Sequence, residues 1–401
     1  MKSRLALTFR ECRTIISTMN YIKREIEPEI VRLMPQGKVI VVYGPRQSGK
    51  TTLVRHIVEE QKLDALWLDA DMADVRRMLT DLSPEKWKGM LGGRRTLVID
   101  EAQRVENIGI ALKILADNIK GLQVIVTGSS ALELKNRTEE PLTGRKFDFL
   151  LLPPSFAELV GMAGVLSEMR LVEDRLVYGS YPDVLSAGTD RERVLRSLAS
   201  SYLYKDLLTL DGIVKSAALE KLVMALAFQI GSEVSYQELA ETAGIDRKTA
   251  EKYVDLLKRC FVVFEVGAYS RNMRNEIKKS RKFYFYDVGV RNAVIGNLLP
   301  LASRPGDETG HLWENYVIAE RFKRNANLPM PPRAYFWRTK SGQEVDYIEE
   351  ANGGIAAWEI KWNPRKAHGA LPAAFRAAYP GTPFAFISRE NMMTFLFAEK
   401  N

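Results

Sequence analysis

The stretch that most constrains the fold is Lys38–Thr52, KVIVVYGPRQSGKTT. Its β-branched first half reads as a buried strand, Lys38 to Tyr43. That strand runs straight into the glycine loop GPRQSGKT and then into TLVRHIVEE, which has helical spacing. Strand, glycine loop and helix in this order form a cradle for phosphate. Gly44 and Gly49 let the backbone wrap so that amides and the helix N-terminus aim at an anion. The expected binding set is Gly44, Pro45, Arg46, Gln47, Ser48, Gly49, Lys50, Thr51 and Thr52. In it Lys50 reaches the β/γ oxygens and the Thr51 hydroxyl is placed to ligate Mg²⁺.

A second element follows about fifty residues later. Arg95–Glu101, RTLVIDE, is an apolar strand ending in adjacent carboxylates. Asp100 is the expected holder of the Mg²⁺ shell, and Glu101 the group that orients or deprotonates a lytic water. Ala65–Leu68 is a further strand between the two motifs, Asn107–Lys120 a helix, and Leu122–Gly128 a strand leading to Ser129. The extra strand, with a glutamate beside the aspartate, marks the additional-strand class of ATPases rather than the GTPase class. Ser129 then stands at a sensor position or in an ordinary strand-end turn. Arg145, in LTGRKFDFLLL, is either an arginine finger for a neighbouring copy or a surface arginine before a strand.

Length and charge extend this picture. At ~150 residues per domain, 401 residues suggest two or three domains. The net charge is +8, and Gly244–Lys282 carries eleven basic against five acidic residues, so +6 of it is concentrated there. No apolar run reaches the ~18 residues of a spanning helix, so no membrane role is expected. Cys12 and Cys260 are too few for a disulfide framework and suit a reducing cytoplasm.

Within the basic region, Ser216–Ile230, Tyr236–Ala243 and Arg247–Arg259 read as helices, with Gly244 as a turn and Asp246 as a cap. The strands Phe261–Tyr269 and Phe283–Tyr286 flank a basic loop, Arg271–Lys282. This is a winged-helix order. In it the third helix offers Arg247, Lys248 and Lys252 to a DNA groove. Arg271, Arg274, Lys278, Lys279, Arg281 and Lys282 offer phosphate contacts. Such modules also dock on proteins, so a protein partner stays open.

Towards the C-terminus, Glu314 lies on a helix, and strands Tyr335–Thr339, Glu344–Glu350 and Ile355–Trp362 follow, the last two joined by a turn at Asn352–Gly354. Glu359 and Lys361 share a strand face, while Trp358, Ile360 and Trp362 point the other way. With Asp346 they make an Asp…Glu-x-Lys pattern, carboxylates for Mg²⁺ and a lysine beside a scissile phosphate, with Glu314 as the helical acid.

GPRQSGKTTL, LVIDEAQ, VIVTGSS, LTGR with LPPSFAEL, YGSYPDVL and YLYKDLL together resemble the predicted prokaryotic AAA-type ATPases with a C-terminal domain of unknown function. The resemblance covers about Tyr21 to Lys361. It implies an α/β chain with an additional-strand AAA-like P-loop core, a winged-helix segment and a C-terminal α/β restriction-endonuclease-like domain. The corresponding boundaries are 1–20 for an extension, 21–155 for the core, 156–215 for a helical connector or lid, 216–282 for the winged helix and 283–401 for the last domain. The expected activity is Mg-ATP hydrolysis with nucleotide-regulated DNA binding, and a finger at Arg145 implies a homo-oligomer. The alternatives are a signalling or scaffold ATPase that docks on protein, and an ATP-gated metal-dependent nuclease.

Overall fold

The computed structural model describes residues 21–80, 83–129, 142–200, 216–270 and 281–397. The chain divides into two compact units. Of the described residues, those from 21 to 154 with Arg259–Phe261 form one, and those from 155 to 258 and from 262 to 397 form the other.

The first unit is built on five parallel strands: β1 Val39–Tyr43, β2 Ala65–Asp69, β3 Thr96–Asp100, β4 Gln123–Gly128 and β5 Lys146–Leu150. Their order is β2-β3-β4-β1-β5. The strand that separates the two motif strands in space is therefore β4, while β2, which lies between them in sequence, forms an edge. Helices α1 Glu27–Leu33, α2 Lys50–Glu60, α3 Ala73–Thr80, α4 Pro84–Leu91 and α5 Ile108–Asn118 complete the unit. Alternation explains the continuous apolar runs. Val39 and Val41 enter one core with Leu97, Ile99, Val124 and Val126, whereas Ile40 and Val42 enter a second with Val98 and Ile125. A strand buried on both faces has no polar side to show.

The second unit opens on a capping box. The Ser155 hydroxyl accepts from the Glu158 amide, and the Glu158 carboxylate accepts from that of Ser155. Helices α6 Phe156–Ala163, α7 Val165–Tyr178, α8 Pro182–Ser186 and α9 Arg191–Ser200 follow. Next come α10 Ser216–Phe228, β6 Glu233–Val234, α11 Tyr236–Ala243, α12 Arg247–Arg259, β7 Val263–Ala268 and β8 Arg281–Phe285. Asp246 caps α12 by accepting from the Thr249 amide at 3.0 Å, and Gly244 closes α11 at φ +67°. The remainder is α13 Val288–Val294, α14 Gly306–Asn325, β9 Arg333–Arg338, β10 Glu344–Ala351, β11 Gly354–Ile360, α15 Ala373–Ala378, β12 Phe384–Ile387 and α16 Met392–Leu396.

One mixed sheet, β12-β11-β10-β9-β7-β8-β6, runs through this unit. The join is a parallel pairing of Gly267 and Ala268 with Tyr335 and Phe336, so the basic hairpin and the C-terminal strands share a single sheet. The helical stretch after Ser155 is bound into it as well. Glu320 on α14 accepts from the Phe156 amide, and Asp287 accepts from the Ser180 amide at 2.7 Å. Arg281 and Lys282, expected in a basic loop, are instead the first two residues of β8.

Candidate active site

Gly44 follows β1 so closely against the end of β5 that a β-carbon there would sit 2.1 Å from the Leu151 carbonyl oxygen. Only glycine fits this turn. Gly49, at φ +93°, turns the chain into α2. Between them Ser48 Oγ donates to the Pro45 carbonyl at 2.8 Å. Lys50 is buried and its Nζ donates to the carbonyls of Gly44 at 3.0 Å and Pro45 at 2.6 Å, so the lysine spans the loop it serves. Thr52 is exposed one residue beyond Thr51.

The two motifs meet. Thr51 Oγ1 donates to Asp100 Oδ2 at 2.9 Å, bringing hydroxyl and carboxylate oxygens together from the loop helix and from β3. Two adjacent hard oxygen donors fit a Mg²⁺ that keeps most of its shell as water and phosphate. Thr127 on β4 donates to Asp100 and accepts from the Glu101 amide at 3.2 Å, which fixes both acids to the neighbouring strand. Glu101 stands in a left-handed conformation, φ +51°, that turns it off the strand end.

Two residues at this site escaped the sequence reading. Gln103 Nε2 donates both to Glu101 Oε2 and, at 2.9 Å, to Ser129 Oγ, joining the expected base to the expected sensor. Arg24 is buried and donates to the carbonyls of Ser48 at 2.8 Å and Leu152 at 2.5 Å. The LVIDEAQ motif held Gln103 in view. No local signal marks Arg24.

Arg145 lies at the other edge of this sheet. Its carbonyl accepts from the Val39 amide, at the start of β1, and its guanidinium holds Asp117 at 2.7 Å. At ~3.3 Å per residue, β1 separates it from the phosphate loop of its own chain by roughly 15 Å.

The second unit gathers a different set of charges. Tyr347 pairs with Trp358, and continuing that register places Asp346 opposite Glu359. A break in the β9–β10 register between Val345 and Ile348 contains Asp346, the kind of bulge that re-aims a side chain. Asp346 Oδ2 accepts from the Ile360 amide at 2.8 Å and from Lys361 Nζ at 3.1 Å, and Lys361 also holds Glu359 at 2.7 Å. Burial, and then the shared hydrogen bond with Asp346, pushes the Glu359 carboxyl up to about 8.

Glu314 is placed otherwise than expected. It accepts from Tyr284 at 2.7 Å and from Lys282 at 3.2 Å, and burial raises it to about 6 against the pull of Lys282. Among the described residues no group of three or more His, Cys, Asp or Glu stands close enough to hold a metal ion. The expected three-carboxylate set Glu314, Asp346 and Glu359 is thus not assembled, because Lys282 has claimed the helical acid. Lys282 itself, expected on a DNA phosphate, is 1% exposed and reaches Glu344 at 2.5 Å as well.

Arg247, Lys248 and Lys252 are exposed on α12, with Arg247 paired to Glu251 at 3.0 Å. Arg271, Arg274, Lys278 and Lys279 lie outside the described residues, as does Cys12, and Cys260 is buried. Among the described residues no helix is long and apolar enough to cross a membrane.

Comparison with known proteins agrees with this architecture. Residues 36–160 match the AAA domain family, 309–391 a Domain of unknown function (DUF4143), and 169–299 a Domain of unknown function (DUF8612). An uncharacterized protein of Mycobacterium tuberculosis is 26% identical over 352 residues, covering 86% of this chain and 75% of the relative. One from Haemophilus influenzae is 25% identical over 392 residues, 90% and 91% of the two chains. Among solved structures, the Walker-type ATPase of Pyrococcus abyssi superposes with a TM-score of 0.51 at 14% identity, over 70% of this chain and 99% of the other, and shares the fold. The chain thus joins an AAA-type domain at residues 36–160 to this C-terminal domain of unknown function at residues 309–391, on a P-loop ATPase fold.

Proposed function

We propose that the chain binds Mg-ATP in the loop Gly44–Thr52 and hydrolyses it to ADP and phosphate, and that nucleotide state regulates its engagement of DNA. The observation that carries the first part is the 2.9 Å hydrogen bond between Thr51 and Asp100, which joins the loop to the acid strand. Thr51 and Asp100 would hold the Mg²⁺, which when bound would supply charge neutralisation for the phosphates. On nucleotide binding the amides of the loop receive the phosphate oxygens, and Lys50 exchanges its two carbonyl partners for them. Glu101 orients the water and takes its proton, and Ser129 contacts the γ-phosphate side of the site. Arg145 serves the nucleotide of a neighbouring copy.

Calorimetry tests this reading. Lys50→Ala should abolish Mg-dependent ATP uptake, whereas Glu101→Gln should bind ATP normally and lose turnover on the order of 10²-fold or more. Normal turnover by Glu101→Gln would remove that residue from the chemistry.

The DNA half is supported by the three helices α10, α11 and α12 with the strands β6, β7 and β8, a winged-helix order, and by the exposed Arg247, Lys248 and Lys252. Duplex affinity should fall steeply with salt, and the triple alanine variant should flatten that slope. A second reading, metal-dependent phosphodiester cleavage, rests on Asp346, Glu359 and Lys361 alone, without Glu314. Mg²⁺- or Mn²⁺-dependent nicking that disappears in Asp346→Asn would support it; equal nicking by both proteins would reject it.

A further inference from the structure

Where β11 and β12 end, the second unit forms a cleft of about 510 Å³ lined by Met169, Trp362, Asn363, Pro364, Arg389 and Glu390. Its volume falls within the ~300–1,000 Å³ typical of ligand clefts. Register explains its position. The two strands run parallel with Ile360 beside Ile387, and the Lys361 amide donates to the Ile387 carbonyl at 2.8 Å. Two residues further along each strand, Trp362 and Arg389 emerge side by side. The Arg389 guanidinium lies over the Trp362 ring, 4.6 Å from its centroid. Trp313 of α14 packs edge-on against the same indole at 5.4 Å, which fixes its orientation. The carboxyl ends of parallel strands are where α/β sheets receive ligands.

Charge selects the ligand. From Ile360 to Arg389 the chain carries five lysines and arginines and no aspartate or glutamate. Arg365 and Lys366 are exposed on a short turn capped by Asn363, one step beyond the indole. Two acids border the cleft. Glu390 lines it, and Glu173 holds Arg389 at 3.0 Å. That ion pair is exposed on both sides, and exposed pairs are worth little, so Glu173 does not cancel the charge that the guanidinium brings to the indole.

A flat indole–guanidinium platform beside uncompensated cations matches unpaired bases on a polyanionic backbone. Every base offers a π face, and the cations track the phosphates. A duplex presents only base edges and would leave the platform idle. We propose that this cleft is a subsite for single-stranded nucleic acid, with a base stacked on the Trp362–Arg389 pair and the adjoining phosphates on Arg365 and Lys366. The proposal rests on the nucleic-acid half of the proposed function and adds to it the strand class and a second location.

The test is fluorescence anisotropy of a labelled oligothymidylate with the full-length protein in EDTA, where no metal-dependent cleavage occurs. Trp362→Leu should weaken binding roughly tenfold or more, and Trp362→Phe, which keeps a π face, should stay within about threefold of the wild type. Because Trp362 touches Trp313, Trp362→Leu is checked by thermal melting. Arg389→Ala alters a partly exposed residue and should weaken binding by about threefold to tenfold without disturbing the fold. The α12 variant Arg247→Ala/Lys248→Ala/Lys252→Ala should lose duplex affinity and keep oligothymidylate affinity, which separates failure of the helix reading from failure of the cleft. Wild-type affinity in both Trp362→Leu and Arg389→Ala overturns the proposal. So does absence of oligothymidylate binding by the wild type, or displacement of the labelled oligothymidylate by polyglutamate as effectively as by unlabelled oligothymidylate of matched charge, which would assign the cleft to acidic peptide.

Discussion

Gln103 shows what a single amide can do at a catalytic edge. Its Nε2 group donates to Glu101 and to Ser129 together, so the orientation of the proposed base is tied to that of the proposed sensor. Gln103→Leu should leave Mg-ATP affinity within about threefold and lower kcat on the order of tenfold, read as a kcat against KM split in a phosphate-release assay. Glu359 makes a different prediction. Its folded value of about 8 lies above the ordinary 4.5, so the folded protein keeps a proton between those pH values that the unfolded chain has released. In EDTA, stability should therefore fall as pH rises through that window, with Glu314 adding to the fall up to about pH 6. Glu359→Gln should flatten the upper part of the profile in thermal melts. The charges facing Glu359 are Asp346 and Lys361, and those facing Glu314 are Lys282, Asp346 and Glu344. The glycine turn between β1 and α2 was legible because the residues that shape it, Gly44 to Thr52, are nine consecutive positions. Arg24 was not, because its two carbonyl partners are 24 and 128 positions away.

At the level of elements, β8 marks the limit of reading charge from sequence. KKSRK looks like a solvated run, yet the last two of these residues enter a strand with β7 on one side and β6 on the other, where Lys282 is enclosed. A strand paired on both edges leaves a side chain only the two sheet faces, and here the face holding Lys282 also holds Glu314 and Glu344. Breaking a buried ion pair by removing one partner costs about 3–5 kcal/mol. Lys282→Met should lose stability of that order in denaturant titration, and Lys282→Met combined with Glu314→Gln should recover part of it. Unchanged stability in Lys282→Met would mean that water reaches the cluster. By contrast α11 and α12 were legible to the residue, because Ser235, Gly244 and Asp246 supply local start and stop signals.

For the whole molecule, sequence order was a poor guide to neighbourhood. The segments after Ser155 read as three successive modules, but β7 pairs with β9 and the buried carboxylates of Asp287 and Glu320 hold the preceding helices, so they lie in one compact unit. No periodicity within either segment announces a pairing between them. Arg145 raises the question of assembly at this scale, since it stands at the sheet edge away from its own phosphate loop. Turnover per chain should rise with protein concentration, and Arg145→Ala should bind ATP with unchanged affinity while losing at least tenfold in turnover. Concentration-independent turnover, with Arg145→Ala fully active, would leave the Asp117 ion pair as its only role.

Arg24 grips Ser48, inside the phosphate loop, and Leu152, the residue just before the proline pair with which the first unit ends. The guanidinium is a yoke across the two. Were the loop to shift on taking up an anion, this side chain would carry the shift to Leu152, and Arg24→Ala would remove that link.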